Sequence, residues 1–265
     1  MPPHHILVLG GHGKIAQLLT PLLLRRSWAV TSIIRNPDQV AAVESLKPAD
    51  DGKGAIGPLT VLVRSLDDVK SEAHAKAILD EVKPDYVVWS AGAGGKGGPE
   101  RTLVIDRDAA VHFINAAAAS PSITRFLLVS YVACRRAPPS WWSAESWENA
   151  VKINTEMLPT YYQAKIVADE ALYEVSKKRK DFVGIDLRPG FLTDKPAGNV
   201  ELGRTKGSGG STSRETVAKV ADLLLATEGV RNSWIDLLDG EESIEAAVER
   251  VVTEGVDAAE GEPVF

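Results

Sequence analysis

Three residues far apart in the chain have the types needed for acid–base chemistry: Ser130, Tyr161 and Lys165. The run Tyr161-Tyr162-Gln163-Ala164-Lys165 holds a Tyr-x-x-x-Lys pair. On a helix these two side chains stand one turn apart on the same face. An ammonium beside a phenol stabilises the phenolate and draws its pKa from about 10 toward neutrality. Tyr161 is therefore expected to serve as general acid or base on a carbonyl or an alcohol. Ser130 directly follows the apolar run Phe126–Val129 and is the candidate to polarise the substrate oxygen. Alone, Tyr-x-x-x-Lys is a common accident on amphipathic helices. It gains weight from the rest of the chain.

The segment Ile6–Ala16 reads ILVLGGHGKIA. Four apolar residues make a buried strand, Gly10 and Gly13 follow, and an amphipathic stretch runs on through Leu18, Leu19, Leu22 and Leu23. This is strand, glycine turn, helix, the context of a dinucleotide fingerprint. Gly10 permits the tight turn, Gly13 lets a pyrophosphate approach the backbone, and Ala16 lets helix pack on strand. The helix N-terminus then offers unpaired N–H groups to phosphate. The turn residues Gly10, Gly11, His12, Gly13, Lys14 and Ile15 form the candidate cradle, with Lys14 read either as added charge or as a surface lysine. A glycine turn without a ligand is the competing reading.

These residues need elements to position them. Strands are predicted at 6–9, 29–34, 59–63, 86–89, 125–129, 182–187 and 234–238. Helices are predicted at 14–25, 37–46, 67–82, 102–119, 161–178, 214–227 and 243–252. Such alternation predicts an α/β fold, a doubly wound parallel sheet with helices on both faces. Ligands then bind at the carboxyl ends of the strands. Arg35 follows the second strand, beside Asn36, where an NAD site usually carries an acid. A guanidinium there grips a 2′-phosphate that a carboxylate would repel, which predicts NADP(H) in preference to NAD(H). A solvated arginine at a strand exit is the alternative. After the fourth strand, Ser90, Ala91 and Gly92 open the run SAGAGG to Gly95. It reads either as a path beneath a ribose and nicotinamide or as a flexible loop.

The chain resembles the short-chain dehydrogenase/reductase superfamily. More narrowly, it is similar to its atypical single-domain NAD(P)-binding members, the NmrA-like and flavin-reductase-like group. The resemblance rests on LGGHGKIA, IIRNP, IDRDAAVHFINAA, FLLVS, YYQAKIVADEAL, LRPGFLTDKPAGNV and TSRETVAKVADLLL, and covers nearly the whole chain. It implies that Lys165 also holds the nicotinamide ribose. It implies that the Pro189-Gly190 turn and the backbone to Leu192 face the nicotinamide carboxamide. Many relatives carry an acid after the third strand to contact adenine. That place falls on Ser65, so the backbone of Ser65 and Leu66 is the expected substitute. His112 stands where many relatives have asparagine, so an asparagine relay does not carry over.

The chain has 265 residues, a net charge of −6 and one cysteine, Cys134. That length suits one domain over residues 1–265. Mixed charge gives no nucleic-acid footprint. No apolar run reaches membrane length, and a lone cysteine fits a reducing compartment. A cytoplasmic protein, monomer or homodimer, is expected. Packing is the leading reading of Cys134, with a thiol activated by Arg135-Arg136 the other. The histidines show no ligand spacing, so no metal is expected. Residues 131–160 form a long insertion holding Trp141, Trp142 and Trp147. It reads either as a lid over an apolar substrate or as a loop whose rings tuck onto the body. Residues 190–213 read as a substrate-side loop. The leading expectation is an NADP(H)-dependent oxidoreductase acting on a small carbonyl or alcohol. A non-catalytic NADP(H) sensor and an epimerase or dehydratase with bound cofactor are the alternatives.

Overall fold

Period-two alternation in the first strand sets the architecture. In β1 (His5–Leu9), Ile6 and Val8 belong to one apolar cluster while Leu7 and Leu9 belong to another. A strand apolar on both sides must be covered on both sides. The computed structural model describes residues 4–52, 54–94 and 97–265. Gly95, at the end of the predicted SAGAGG loop, lies outside them.

Along the chain, β1 leads into α1 (Lys14–Arg25), β2 (Ala29–Ile34), α2 (Val40–Glu44), β3 (Leu59–Val63), α3 (Glu72–Val82) and β4 (Tyr86–Trp89). Then come α4 (Gly98–Thr102), α5 (Ala110–Ala119), β5 (Arg125–Val129), α6 (Ala144–Lys152), α7 (Pro159–Lys178) and β6 (Val183–Pro189). The remainder is β7 (Phe191–Thr193), β8 (Val200–Gly203), β9 (Ser211–Ser213), α8 (Arg214–Ala226), β10 (Ser233–Asp239) and α9 (Ile244–Glu254). The main sheet runs β3-β2-β1-β4-β5-β6-β10-β8. All its pairs are parallel except β10 with β8. On one face α1, α8 and α9 bury Leu19, Leu23, Val217, Leu224 and Val248. On the other, α3, α5 and α7 bury Leu79, Phe113, Ile114 and Leu172. This is the doubly wound α/β sheet that the alternation predicts, with the order reversing between β1 and β4.

Several predicted boundaries change. The helix over 37–46 is a 3₁₀ turn, Pro37–Gln39, followed by the short α2. The helix over 67–82 is likewise split, because Ser65 and Ser71 each cap a separate turn. The helix over 102–119 begins at Gly98 and holds wide π-type turns over Leu103–Ala109. The 190–213 loop contains three short strands. One is the antiparallel edge β8, and the other two, β7 and β9, pair in parallel in a separate ribbon. Strands of three or four residues carry too few alternations to be read as strands. Within 131–160, α6 is capped by Ser143, whose side chain accepts the Ser146 N–H.

One patch between the sheet and α7 is ionic instead of apolar. Arg188 on β6 is fully buried and lies directly opposite Asp236 on β10. Its Nη1 donates to Asp169 Oδ2 at 2.9 Å and Asp186 Oδ2 at 3.2 Å, and its Nε to Asp236 Oδ1 at 3.1 Å. Its Nη2 donates to the Cys134 carbonyl, and its guanidinium lies 3.9 Å from the centroid of the Trp234 ring. Arg135 extends the cluster to Asp236 Oδ2 at 2.6 Å, to the Ala258 carbonyl at 2.8 Å and toward Glu262. Burial pushes the carboxyls of Asp169, Asp186 and Glu262 up, against the pull of the arginines.

Replacing Arg188 by methionine leaves Asp169, Asp186 and Asp236 buried without their shared cation. Breaking a buried pair in this way costs about 3–5 kcal/mol. The urea midpoint of Arg188→Met is expected to fall accordingly. Carboxyls whose folded pKa is raised bind more protons folded than unfolded, so stability grows as pH falls through their titration. The deficit of the variant should therefore shrink on acidification below neutrality. An equal deficit at every pH would contradict this assignment.

Candidate active site

The glycine turn is shaped by its neighbours. Gly10 has φ +85°, and a Cβ there would lie 2.6 Å from Ala91 Cα. The position thus admits only glycine if the loop after β4 is to pass so close. A Cβ on Gly11 would lie 1.7 Å from Ser32 Oγ, and its N–H donates to the Ile33 carbonyl at 2.8 Å. Gly11 therefore packs the turn onto β2. Gly13 is the N-cap of α1, with no side-chain cap and no acid in the first turn. The N–H groups of that turn are left for an anion, and the helix dipole favours one.

Two connected hollows open at the carboxyl ends of the strands. A groove of about 300 Å³ lies over Gly10, His12 and Gly13 and reaches Arg35, Leu66 and the Ser90–Gly92 backbone. Arg64, Asp67 and Arg101 complete its far wall. Arg101 and Asp67 form a two-point ion pair, both distances 2.8 Å, which with Arg35 nearby holds Asp67 below the usual carboxylate range. Arg35, Arg64, which also donates to Glu81 at 3.3 Å, and Arg101, committed to Asp67, stand beside an uncapped helix N-terminus, a donor set suited to the phosphates of a dinucleotide.

The groove continues past Ser90–Gly92 into a cleft of about 690 Å³. Ser130 and Tyr161 line it, with Ile15 and Leu192 from the predicted set, and Asp106, Met157 and Leu158 besides. Ser130 extends β5, its N–H donating to the Leu187 carbonyl at 2.8 Å, and its Oγ donates to Asp169 Oδ2 at 2.8 Å. Lys165 is buried, and its Nζ donates to the Val129 carbonyl at 2.7 Å. The Tyr161 ring lies 5.3 Å from that of Tyr131. The Tyr161 phenol is pushed well up, first by burial and then by the charges of Asp106 and Asp169, with Cys134 and Asp186 adding to the shift. This reverses the lowered phenol inferred from Tyr-x-x-x-Lys. The ammonium is turned to a backbone carbonyl, and carboxylates crowd the ring's surroundings. Asp106 is itself buried, accepts the Ala93 N–H at 2.9 Å, and is pushed up by burial.

Other predicted residues stand apart from both hollows. Lys14 pairs with Asp194 at 2.7 Å and lines a separate surface hollow. Asn36 caps the turn at Asp38, and Ser65 Oγ accepts the Asp67 N–H. Pro189 is buried, and Gly190 is packed so closely that a Cβ would lie 2.4 Å from the Leu238 side chain. Only Leu192 of that segment reaches the cleft. The tryptophans of 131–160 tuck onto the body. Trp142 Nε1 donates to the Thr205 carbonyl at 2.8 Å, and the Arg204 guanidinium lies 4.9 Å from the centroid of Trp141. Cys134 is buried and its thiol is pushed well up, so the adjacent arginines do not activate it.

Arg64 escaped the sequence reading although it leaves β3 as Arg35 leaves β2. The same rule of looking past each strand end finds it. Asp106 had a weaker signal, an acid directly after the apolar helical run Leu103–Ile105. Among the described residues, no group of three His, Cys, Asp or Glu side chains is placed to hold a metal ion, and no helix is long and apolar enough to cross a membrane.

The geometry can be set beside known proteins. The chain is 31% identical over 252 residues to a UPF0659 protein of Schizosaccharomyces pombe, covering 94% of this chain and 95% of that one. It is 26% identical over 247 residues to an uncharacterized sugar epimerase of Bacillus subtilis, covering 93% and 99%. A solved putative NAD-dependent epimerase/dehydratase from Bacillus halodurans superposes with a TM-score of 0.72 at 25% identity, over 93% of this chain and 99% of that one. A family model described as NAD(P)H-binding matches residues 10–228, the span that builds both hollows. The chain belongs to the NAD(P)H-binding family and carries its Rossmann-like fold.

Proposed function

We propose that the protein is an NADP(H)-dependent oxidoreductase that reduces a carbonyl in the cleft beside Ser130 and Tyr161. The observation that carries this reading is the continuity of the arginine-lined groove with a cleft holding a serine and a tyrosine hydroxyl. The dinucleotide would lie with its pyrophosphate at the N-terminus of α1 and its 2′-phosphate beside Arg35 and Arg64. When bound, it supplies the hydride.

The chain supplies the proton and the shape. A phenol whose pKa is raised stays protonated at neutral pH, so Tyr161 carries a proton that it can donate to a carbonyl oxygen. As the carbonyl carbon gains a hydride, its oxygen takes the Tyr161 proton, leaving an alcohol, and water restores the phenol. Lys165, through the Val129 carbonyl, fixes α7 against the end of β5 and so fixes Tyr161 relative to Ser130. Ile15, Leu192, Met157 and Leu158 give the cleft apolar walls.

Calorimetric titration tests the cofactor. A charge-assisted hydrogen bond contributes about 1.5–3 kcal/mol, so the wild type should bind NADPH about tenfold or more tighter than NADH. Arg35→Asp should erase or invert that preference. Equal affinities in the wild type would remove the basis of the NADP(H) reading.

Turnover tests the chemistry. NADPH oxidation is followed with benzaldehyde, cyclohexanone, menadione and phenanthrenequinone. Tyr161→Phe should lose about 10²–10⁴-fold in kcat on any compound the wild type reduces, while NADPH affinity stays within about twofold. A Phe variant as fast as the wild type refutes Tyr161 as the acid. Tight NADPH binding with no turnover of any compound would instead favour the sensor.

A further inference from the structure

Ser130 lines the cleft, but its proton is directed away from it. The Oγ–H donates to Asp169, a fully buried residue one turn beyond Lys165 on α7. Tyr161, Lys165 and Asp169 thus recur every four residues along that helix. The same Asp169 oxygen, Oδ2, accepts Arg188 Nη1, whereas Oδ1 is buried with no hydrogen-bond partner. A serine whose proton is held by a carboxylate presents only lone pairs to the cleft. It can accept from an alcohol, and it cannot donate to a carbonyl oxygen.

The vacant Oδ1 is where a proton would sit. Protonation there leaves Oδ2 as a neutral acceptor, and a neutral hydrogen bond has about half the strength of a charge-assisted one. The Ser130 hydroxyl is then released to turn toward the cleft. The groups facing Asp169 make both states accessible. Arg188 on β6, Lys165 on α7, the Ser130 hydroxyl and the Cys134 thiol favour the carboxylate. Burial opposes them and is the largest influence, so the carboxyl is pushed up. Asp186 on β6 shares Arg188 Nη1 with it, and Tyr131 and Cys134, after β5, and Tyr161 on α7 complete the surroundings.

We propose, building on the oxidoreductase reading, that Asp169 is a positioning residue that sets which way the Ser130 hydroxyl points. Ionised, it holds that hydroxyl back and leaves a site suited to an alcohol. Neutral, it releases the hydroxyl to a carbonyl oxygen beside Tyr161. Asp169 keeps its proton throughout a turnover, so the reaction still consumes one hydride and one proton, the latter through Tyr161. Carbonyl reduction should therefore decline with rising pH, by about tenfold per pH unit above the Asp169 midpoint.

The test has two readouts. The first uses the protein alone. The infrared carbonyl band of a buried protonated carboxyl is followed as pH is raised through neutrality, and Asp169→Asn identifies the band by removing it. Ser130→Ala should let the band persist to higher pH, because a donor that favours the ionised carboxylate is gone. A band lost at the same pH as in the wild type overturns the coupling. The second is the pH profile of kcat/KM on the carbonyl panel. Asp169→Asn, permanently neutral, should reduce with a flat profile, and Ser130→Ala should be slower and equally flat. Should Asp169→Asn fail to fold, Ser130→Ala leaves the ion pairs of the cluster in place and carries both readouts by itself. If the wild type turns over and Ser130→Ala keeps the wild-type pH dependence, this inference falls and the oxidoreductase reading survives. If the wild type reduces nothing, the reading falls and the inference with it.

Discussion

Arg188 is the interaction on which the far half of the sheet depends. A guanidinium with no exposure can exist only if its donors are matched, and four acceptors meet it: three carboxylates and a backbone carbonyl. Those acceptors come from α7, β6, β10 and the segment after β5. One side chain thus fixes the spacing of three secondary-structure elements and the start of the 131–160 insertion. Arg135 carries the same network outward to Ala258 and Glu262. Apolar side chains of equal volume would pack as well or better. They would not hold a carboxylate beneath Ser130.

That difference joins the core to the chemistry. The groove over Gly10–Gly13 needs only backbone geometry and a few surface guanidiniums. The cleft needs a serine in a defined orientation, a tyrosine held protonated and a lysine turned away from it. Each of those states is set by burial and the polar groups around it. Burial, with the charges of Asp106 and Asp169 beside it, keeps the phenol neutral, and the Val129 carbonyl keeps the ammonium on the strand side. The site is therefore an extension of the ionic core as much as of the loops above it.

How much of this was legible in the sequence follows the same division. Strands β1 to β5 could be read because apolar, β-branched runs end abruptly at glycine, proline or polar residues. The turn at Gly10 could be read because only glycine tolerates its φ. The run Ile185-Asp186-Leu187-Arg188 is different. Its alternation of apolar and charged residues is what a half-exposed strand would show, yet both of its faces are buried. Pattern alone cannot distinguish a charge facing water from a charge facing its partner on another element. Asp169 was hidden for the same reason, since a carboxylate one turn beyond a lysine reads as a surface pair. The direction of the Tyr161 shift was missed because adjacency in sequence puts Lys165 beside it, while the fold turns that ammonium elsewhere. Arg64 and Arg101 required knowing which strand ends and helix starts face one another.

The cleft is bordered on two sides by wide helical turns, Leu103–Ala109 and Ile153–Met157. Such turns hold one residue more than an α-helix allows in the same length. Ile105 and Asp106 reach the hollows from the first, and Met157 reaches the cleft from the second. Removing one residue from either would let it relax to regular winding while the segments on both sides keep their phase, because the wide turn is what absorbs the extra residue. The residues inside the turn, Asp106 or Met157 among them, would be redistributed around it with no substitution anywhere. The lining of this cleft is thus encoded partly in how many residues its helices contain, a quantity that substitution cannot alter and that a single-codon deletion can.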